Sequence, residues 1–388
     1  MASDNAPIRV RTGKGYPYAF DVLLGQRNAR FVRNFVTPQT NVRIARRVPC
    51  VHRLQGVALI EPGYDLLHVK NAVPLFHTAP FVVTFEDFLP RVPTDYYSPR
   101  LHRLLFRALC RSRCRRIIAE SAYALRQFEA QNRHFADFAL ARAKTESLLP
   151  AIAPRADRPK AGPRGRPPRL LFVGRDFLRK GGGAMVRAHE ILRRRGAAPE
   201  THLITDFRWS ADDYVGPPDA AFAEAEHARA RQEGIVLHGR VGPDKVARLM
   251  AEADILVLPT FHDTFGYVVL EALASGTPVV ATRTCALPEA IDEGRDGWLL
   301  PFENENVVGR WEWLYRTREP GYLDAFAATV DRLASGIADR VAALLDPAFD
   351  YEEASAAALA KIGERFSVAR ARDRLEAIYE AAVGRAPA

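Results

Sequence analysis

Four cysteines in 388 residues, Cys50, Cys110, Cys114 and Cys285, are too few for a disulfide framework and lack the paired spacing of a metal-ligand motif. Their scarcity fits a reducing compartment, so the cytoplasm is the expected address. No apolar run approaches the roughly 20 residues that a membrane-spanning helix needs. The opening stretch MASDNAPIRVRTGKGYPYAF has no continuous apolar segment of the kind a signal peptide carries. An Asp-x-Asp pair, which would hold a divalent ion against a diphosphate, is missing as well. Asp212-Asp213 and Asp292-Glu293 are adjacent pairs that read as surface charge, so no metal site is expected.

What is present is basic. A net charge of +9 and a pI near 9.5 attract anionic partners: a nucleotide diphosphate, an acidic lipid surface or nucleic acid. Nucleic acid ranks last, because the Arg-rich segments belong to no recognisable binding module and lack interleaved aromatics. The length suits two domains, each with its own core.

The densest information lies between Asp254 and Pro301. Ile255 to Leu258 is a continuous apolar run that reads as a buried parallel strand. A polar loop with His262 and Asp263 leads through Phe265-Gly266-Tyr267 into a helical pattern, stopped by Ser275-Gly276, after which Val279-Val280-Ala281 begins a second strand. Strand, loop, helix, strand is the unit of a parallel α/β fold, in which ligands sit beyond the carboxyl ends of the strands. The same grammar opens at Arg169: an apolar strand to Val173, a loop from Gly174 through Arg175, Arg179, Lys180 and Gly181-Gly182-Gly183, and a helix from Ala184 to Arg195. Small residues let amides approach an anion while Arg175 and Lys180 add fixed charge. Taken alone, Arg179 and Lys180 read as loop coating; the stretch from Asp263 to Glu271 in the same domain turns the reading to phosphate binding.

Together these residues resemble the donor-binding signature of the retaining glycosyltransferases of family four, the glycosyl transferases group 1, which have the GT-B architecture. The resemblance rests on Asp263 followed by Glu271, on Ser275-Gly276-Thr277-Pro278-Val279-Val280-Ala281, on Pro288-Glu289, and on Arg175 followed by Lys180 and Gly181-Gly182. Where the family usually has Glu, this chain has Asp263, and Ala286-Leu287 replaces the usual Gly-Gly. The resemblance covers residues 169–301 firmly, 57–150 loosely and the first 50 hardly at all.

It implies an α/β GT-B fold, two Rossmann-like domains facing a central cleft. The expected division is 1–150 for an acceptor-side domain with an abbreviated or rearranged start, 151–168 for a Pro/Arg-rich linker, 169–350 for a nucleotide-sugar domain, and 351–388 for closing helices that cross back. It also implies roles. Arg175 and Lys180 hold the donor diphosphate with Gly174, Gly181, Thr264, Phe265 and Gly266; Asp263 meets the donor sugar; Glu271 takes the ribose; Arg240 and Val241 seat the base. Glu86 occupies the place of a donor-facing histidine, its alternative being a solvated strand end with Asp87. The implied activity is hexose transfer from a UDP- or GDP-sugar to a glycan or lipid-linked acceptor, with retention, no metal and no cofactor besides the donor. A catalytically silent nucleotide-sugar-binding assembly subunit is the competing reading.

Elsewhere, apolar runs at 57–60, 65–69, 81–85, 117–119 and 147–150 read as strands, and Ser121 as a helix cap. Residues 100–116 read as one helix with Arg103, Arg107, Arg111 and Arg115 as a basic stripe, either a solvated face or a peripheral contact with an anionic membrane. Gly13-Lys14-Gly15 reads as a loop. Trp311, Trp313 and Tyr315 are candidates for acceptor binding or for packing, with packing favoured.

Overall fold

The apolar runs become two parallel sheets. The computed structural model describes residues 8–12, 29–33, 57–58, 64–75, 79–91, 98–210, 213–302 and 309–384. The chain divides into one unit of residues 1–152 with 366–388 and a second of residues 153–365. The Gly13-Lys14-Gly15 loop lies outside the described residues.

In the first unit β1 (Ile8–Thr12), β2 (Ala29–Arg33), β4 (Leu66–Lys70), β6 (Phe81–Phe85), β7 (Cys114–Ala119) and β8 (Thr145–Ser147) form a parallel sheet in the order β2-β1-β4-β6-β7-β8. Two short strands, β3 (Val57–Ala58) and β5 (Val73–Pro74), pair separately. Side chains alternate between the sheet's faces. Leu67, Val69, Phe81, Val83 and Ile117 bury with Phe106, Leu109 and Phe128, from the helices Pro99–Cys110 and Ala122–Asn132. On the other face Ile8, Val10, Leu66, Val82 and Ile118 bury against Leu375, Ile378 and Tyr379 of the helix Val368–Val383. Ser121 caps its helix as expected, its Oγ accepting from the Ala124 amide at 2.9 Å.

Two expectations here need correction. The helix predicted for 100–116 ends at Cys110: Arg111 leaves helical geometry at ψ 157°, and Arg115 lies in β7. The β-branched pair Ile117-Ile118 gains a fully buried place in the sheet, which a continued helix would forfeit. The stripe therefore reduces to Arg103 and Arg107 on one helix, with Leu104 exposed between them. The strand predicted at 147–150 lies earlier, at Thr145–Ser147, the three residues that pair with Ile117, Ile118 and Ala119 of β7.

The second unit has β9 (Arg169–Val173), β10 (Glu200–Ile204), β11 (Ile235–Leu237), β12 (Ile255–Leu258), β13 (Val279–Thr282) and β14 (Gly297–Leu300), all parallel, in the order β11-β10-β9-β12-β13-β14. The chain winds outward from β9 to β11, then returns beside β9 at β12 and winds the other way. On one face the helices Gly182–Arg194 and Tyr322–Leu344 close the core, where Trp311 packs edge-on against Phe261 and Phe326 and tilted against Phe302. Trp311 thus packs. The Pro- and Arg-rich stretch is tied to this unit from Ala153 on. Lys160 Nζ donates to the Met250 and Ala253 carbonyls at 3.0 and 2.8 Å, and Arg166 forms a fork with Asp254 at 2.7 Å on both arms. Among the described residues no helix is long and apolar enough to cross a membrane.

Candidate functional site

β9 and β12 are neighbours running to opposite halves of the winding, so the loops that leave their carboxyl ends face each other across a switch point, where α/β sheets bind ligands. The approach is closer than any side chain permits. Gly181, at φ 78°, has its missing Cβ position 1.9 Å from the Pro259 carbonyl oxygen, so only glycine lets the first loop lie on the second. Gly174 similarly clears Lys180, whose Cβ would be 2.6 Å away.

Cross-bracing fixes the two loops. The Phe261 amide donates to the Arg179 carbonyl at 3.0 Å, and the Arg179 guanidinium donates to the His262 carbonyl at 3.0 Å. Arg179 also pairs with Asp176 and lies over the Tyr214 ring at 5.9 Å. It is therefore a strut between loops rather than coating, which corrects the sequence reading. His262 accepts or donates at Nδ1 with the Tyr214 hydroxyl, 3.1 Å away, and burial followed by the nearby Arg310 pushes its pKa down to about 3.

Lys180 forms an ion pair with Asp263, and the other Asp263 oxygen accepts from the Gly266 amide at 3.1 Å. The carboxylate thus ties the lysine to the turn that starts the helix Tyr267–Ala274, whose N-cap Gly266 sits at φ 74°. Desolvation disfavours both charges. Lys180 overcomes it at Asp263 and holds that carboxyl below its ordinary value, whereas burial outweighs Asp263 at Lys180 and keeps the ammonium below its own. Gly181 and Gly266 open the helices Gly182–Arg194 and Tyr267–Ala274 beside this pair; the Gly182 amide donates to the Phe177 carbonyl at 2.7 Å and the Gly266 amide to Asp263, so an anion meets the positive ends of the helices rather than these two amides. A cation beside two helix starts is suited to an anion.

Of the other candidates, Phe265 is buried behind the turn and Thr264 is half-buried beside it. Glu271, further along the helix, pairs with Arg155 at 3.2 Å. Arg175 is 62% exposed and points to Asp206 at 3.4 Å, apart from Lys180. Arg240 is exposed and Val241 half-buried in the turn after β11. Glu86 belongs to the first unit. Both it and Asp87 are buried, which overturns the solvated strand end: Glu86 faces Lys70 at 3.6 Å and Arg91 at 3.4 Å and accepts from Asn71 at 3.0 Å. Lys70 pairs in turn with Glu120 at 2.6 Å. Arg155, Tyr214 and Lys70 had no signal in the sequence, since each meets its partner only through the fold.

Residues 167–314 match the family model of the glycosyl transferases group 1. A D-inositol 3-phosphate glycosyltransferase of Arthrobacter sp. (strain FB24) is 32% identical over 182 residues, 47% of this chain and 42% of that protein. Its namesake from Catenulispora acidiphila is 35% identical over 162 residues, 40% of this chain and 35% of that protein. The chain thus spans less than half the length of these relatives. Among solved structures, a glycosyltransferase from Rickettsia africae ESF-5 superposes with a TM-score of 0.60 at 14% identity, covering 98% of this chain and 100% of the other. HepE of Anabaena in complex with UDP and glucose gives a TM-score of 0.57 at 15% identity, over 95% and 98% of the two chains. The fold is accordingly α/β of the GT-B class with two parallel-sheet domains, and the resemblance to group 1 glycosyl transferases stands over the segment that carries Gly174 to Glu271.

Proposed function

We propose that this protein transfers a hexose from a UDP- or GDP-sugar to a glycan or lipid-linked acceptor with retention of configuration, in the biosynthesis of cell-surface glycan. The observation that carries the reading is Lys180, held by Asp263 between two glycine helix tips at the switch point of the second unit. Support comes also from the glycosyltransferases that the matched segment resembles.

Breaking a sugar-phosphate bond leaves positive charge at the anomeric carbon and negative charge on the departing diphosphate. Lys180 and the positive end of the helix that Phe265-Gly266 opens stabilise that diphosphate, and Arg175 swings in from solvent to add a second cation, so two cations and a helix end take the place of a metal. Asp263 shares Lys180 with the diphosphate and meets the sugar hydroxyls, Glu271 takes the ribose, and Arg240 and Val241 border the base. In this reading the protein works in the cytoplasm. Its peripheral contact with an anionic membrane runs through Arg100, Arg103 and Arg107 around exposed Leu104. A chain that stays in the supernatant with phosphatidylglycerol vesicles would remove that contact.

One observation favours a silent binding subunit instead: Glu86 is engaged by Lys70, Arg91 and Asn71 and not held open for a sugar. Slow hydrolysis of UDP- and GDP-sugars separates the two readings. Turnover that survives EDTA, with the product anomer assigned by NMR, supports the transferase; binding of UDP or GDP with no hydrolysis of any sugar in the panel leaves only the subunit.

A further inference from the structure

A Glu271 that takes the ribose needs its carboxylate held in place. A glutamate on a short helix has a flexible side chain, and an acceptor that must be ordered at the moment of binding gives back part of the affinity it provides. In this chain the side chain does not stand alone. The Arg155 Nη2 donates to Glu271 Oε1 at 3.2 Å, with only 27% and 13% of the two side chains exposed.

Arg155 is itself held from behind. Its amide donates to the Ala274 carbonyl at 2.7 Å and that of Ala156 to the same oxygen at 3.2 Å, so residues 155–156 cap the helix that carries Glu271. Ser275 Oγ donates to the Glu271 carbonyl at 2.8 Å and fixes the end of that helix. The guanidinium therefore approaches the carboxylate from a backbone pinned to the same element.

We infer that Arg155 is a positioning residue that orients the Glu271 carboxylate for ribose hydroxyls and so sets how strongly the site prefers ribonucleotides to deoxyribonucleotides. The inference rests on the donor-site reading and deepens it. A carboxylate has about four lone-pair sites, so it can hold an arginine arm and a hydroxyl donor together. Truncating the side chain spares the backbone cap, so Arg155→Ala keeps the path of residues 153–156.

The test is calorimetric titration of the full chain with UDP, GDP and their 2′-deoxy and 3′-deoxy counterparts, with melting curves to verify folding. The wild type is expected to bind the ribo form of its nucleotide on the order of 10- to 100-fold more tightly than a deoxy form. Arg155→Ala should bring that ratio several-fold closer to one by weakening the ribo form alone, Arg155→Lys should fall between, and Arg155→Ala combined with Glu271→Ala should lose no more than Glu271→Ala does. Lys180→Ala, by contrast, should weaken all forms and leave the ratio alone. A folded Arg155→Ala or Arg155→Lys chain with the wild-type ratio, or one that binds the ribo form more tightly, overturns the inference while leaving the donor site standing. A wild type that binds neither UDP nor GDP overturns both.

Discussion

Two glycines with similar backbone angles carry very different constraints. Gly181 and Gly266 sit at φ 78° and 74°, where a side chain costs roughly 1–2 kcal/mol. At Gly266 the added methyl meets Leu287 Cδ2 at 2.4 Å, the movable end of a side chain, whereas at Gly181 it meets the Pro259 carbonyl, which β12 and the loop bracing hold in place. Gly181→Ala should therefore lower the urea midpoint by clearly more than Gly266→Ala does; equal midpoints would mean that the loops are free to part. At Lys180 the expectation concerns turnover. Losing a charged hydrogen bond to the diphosphate removes roughly 1.5–3 kcal/mol, so Lys180→Ala should reduce kcat/KM for donor hydrolysis between about tenfold and 150-fold. Wild-type kinetics would take the lysine out of the site. The glycines, Lys180 and Asp263 were legible because the loop chemistry is local and sits at fixed spacing. Arg155 was not: its partner is 116 positions away and the charge pattern around it looks like linker.

At the scale of elements, the strands were legible wherever an apolar run was bounded by turn residues, as at Phe81–Phe85 and Ile255–Leu258. The helix predicted through Arg116 was misread because Arg every fourth residue satisfies a helical period whether or not the chain stays helical, and only pairing of β7 with β6 and β8 decides the matter. Equally hidden was the brace on β4. His68 is buried between Tyr379 of the last helix, 2.6 Å from Nδ1, and Thr84 of β6, 2.7 Å from Nε2. Burial, then the nearby Lys70, pushes its pKa down to about 3. Because the folded value lies below the unfolded one near 6.5, the unfolded chain holds a proton that the folded chain refuses between those two values. Stability is then full above pH 6.5 and falls as the pH drops toward 3, by at most about 1.4 kcal/mol per pH unit for this group. His262, also near 3, contributes in the same direction in the second unit. Urea midpoints at pH 7, 6 and 5 should decline, and His68→Gln should show a shallower decline from a lower start; a parallel decline would assign the acid sensitivity to other groups.

For the whole molecule the chain crosses between its units twice, and the consequence is an asymmetry in what can be cut away. Residues 153–365 are continuous, and helices from within them, among them Tyr267–Ala274 and Tyr322–Leu344, pack on their sheet. The other unit needs residues 366–388, since Leu375, Ile378 and Tyr379 cover Ile8, Val10, Leu66, Val82 and Ile118, and Arg374 pairs with Glu146. Three buried apolar side chains at roughly 1.5–3 kcal/mol each amount to about 5–9 kcal/mol, as much as the roughly 5–15 kcal/mol by which a whole domain is stable. Losing the helix also leaves the His68 ring without Tyr379. A 153–365 fragment is expected to unfold in one cooperative urea transition. The 1–152 fragment should lack near-ultraviolet dichroism and bind a hydrophobic dye. Adding back 366–388 through a short linker ahead of residue 8 is expected to restore the transition, because it returns the missing cover without the second unit. A 1–152 fragment that unfolds as sharply on its own as with the helix restored would show that the helix rests on the sheet without holding it.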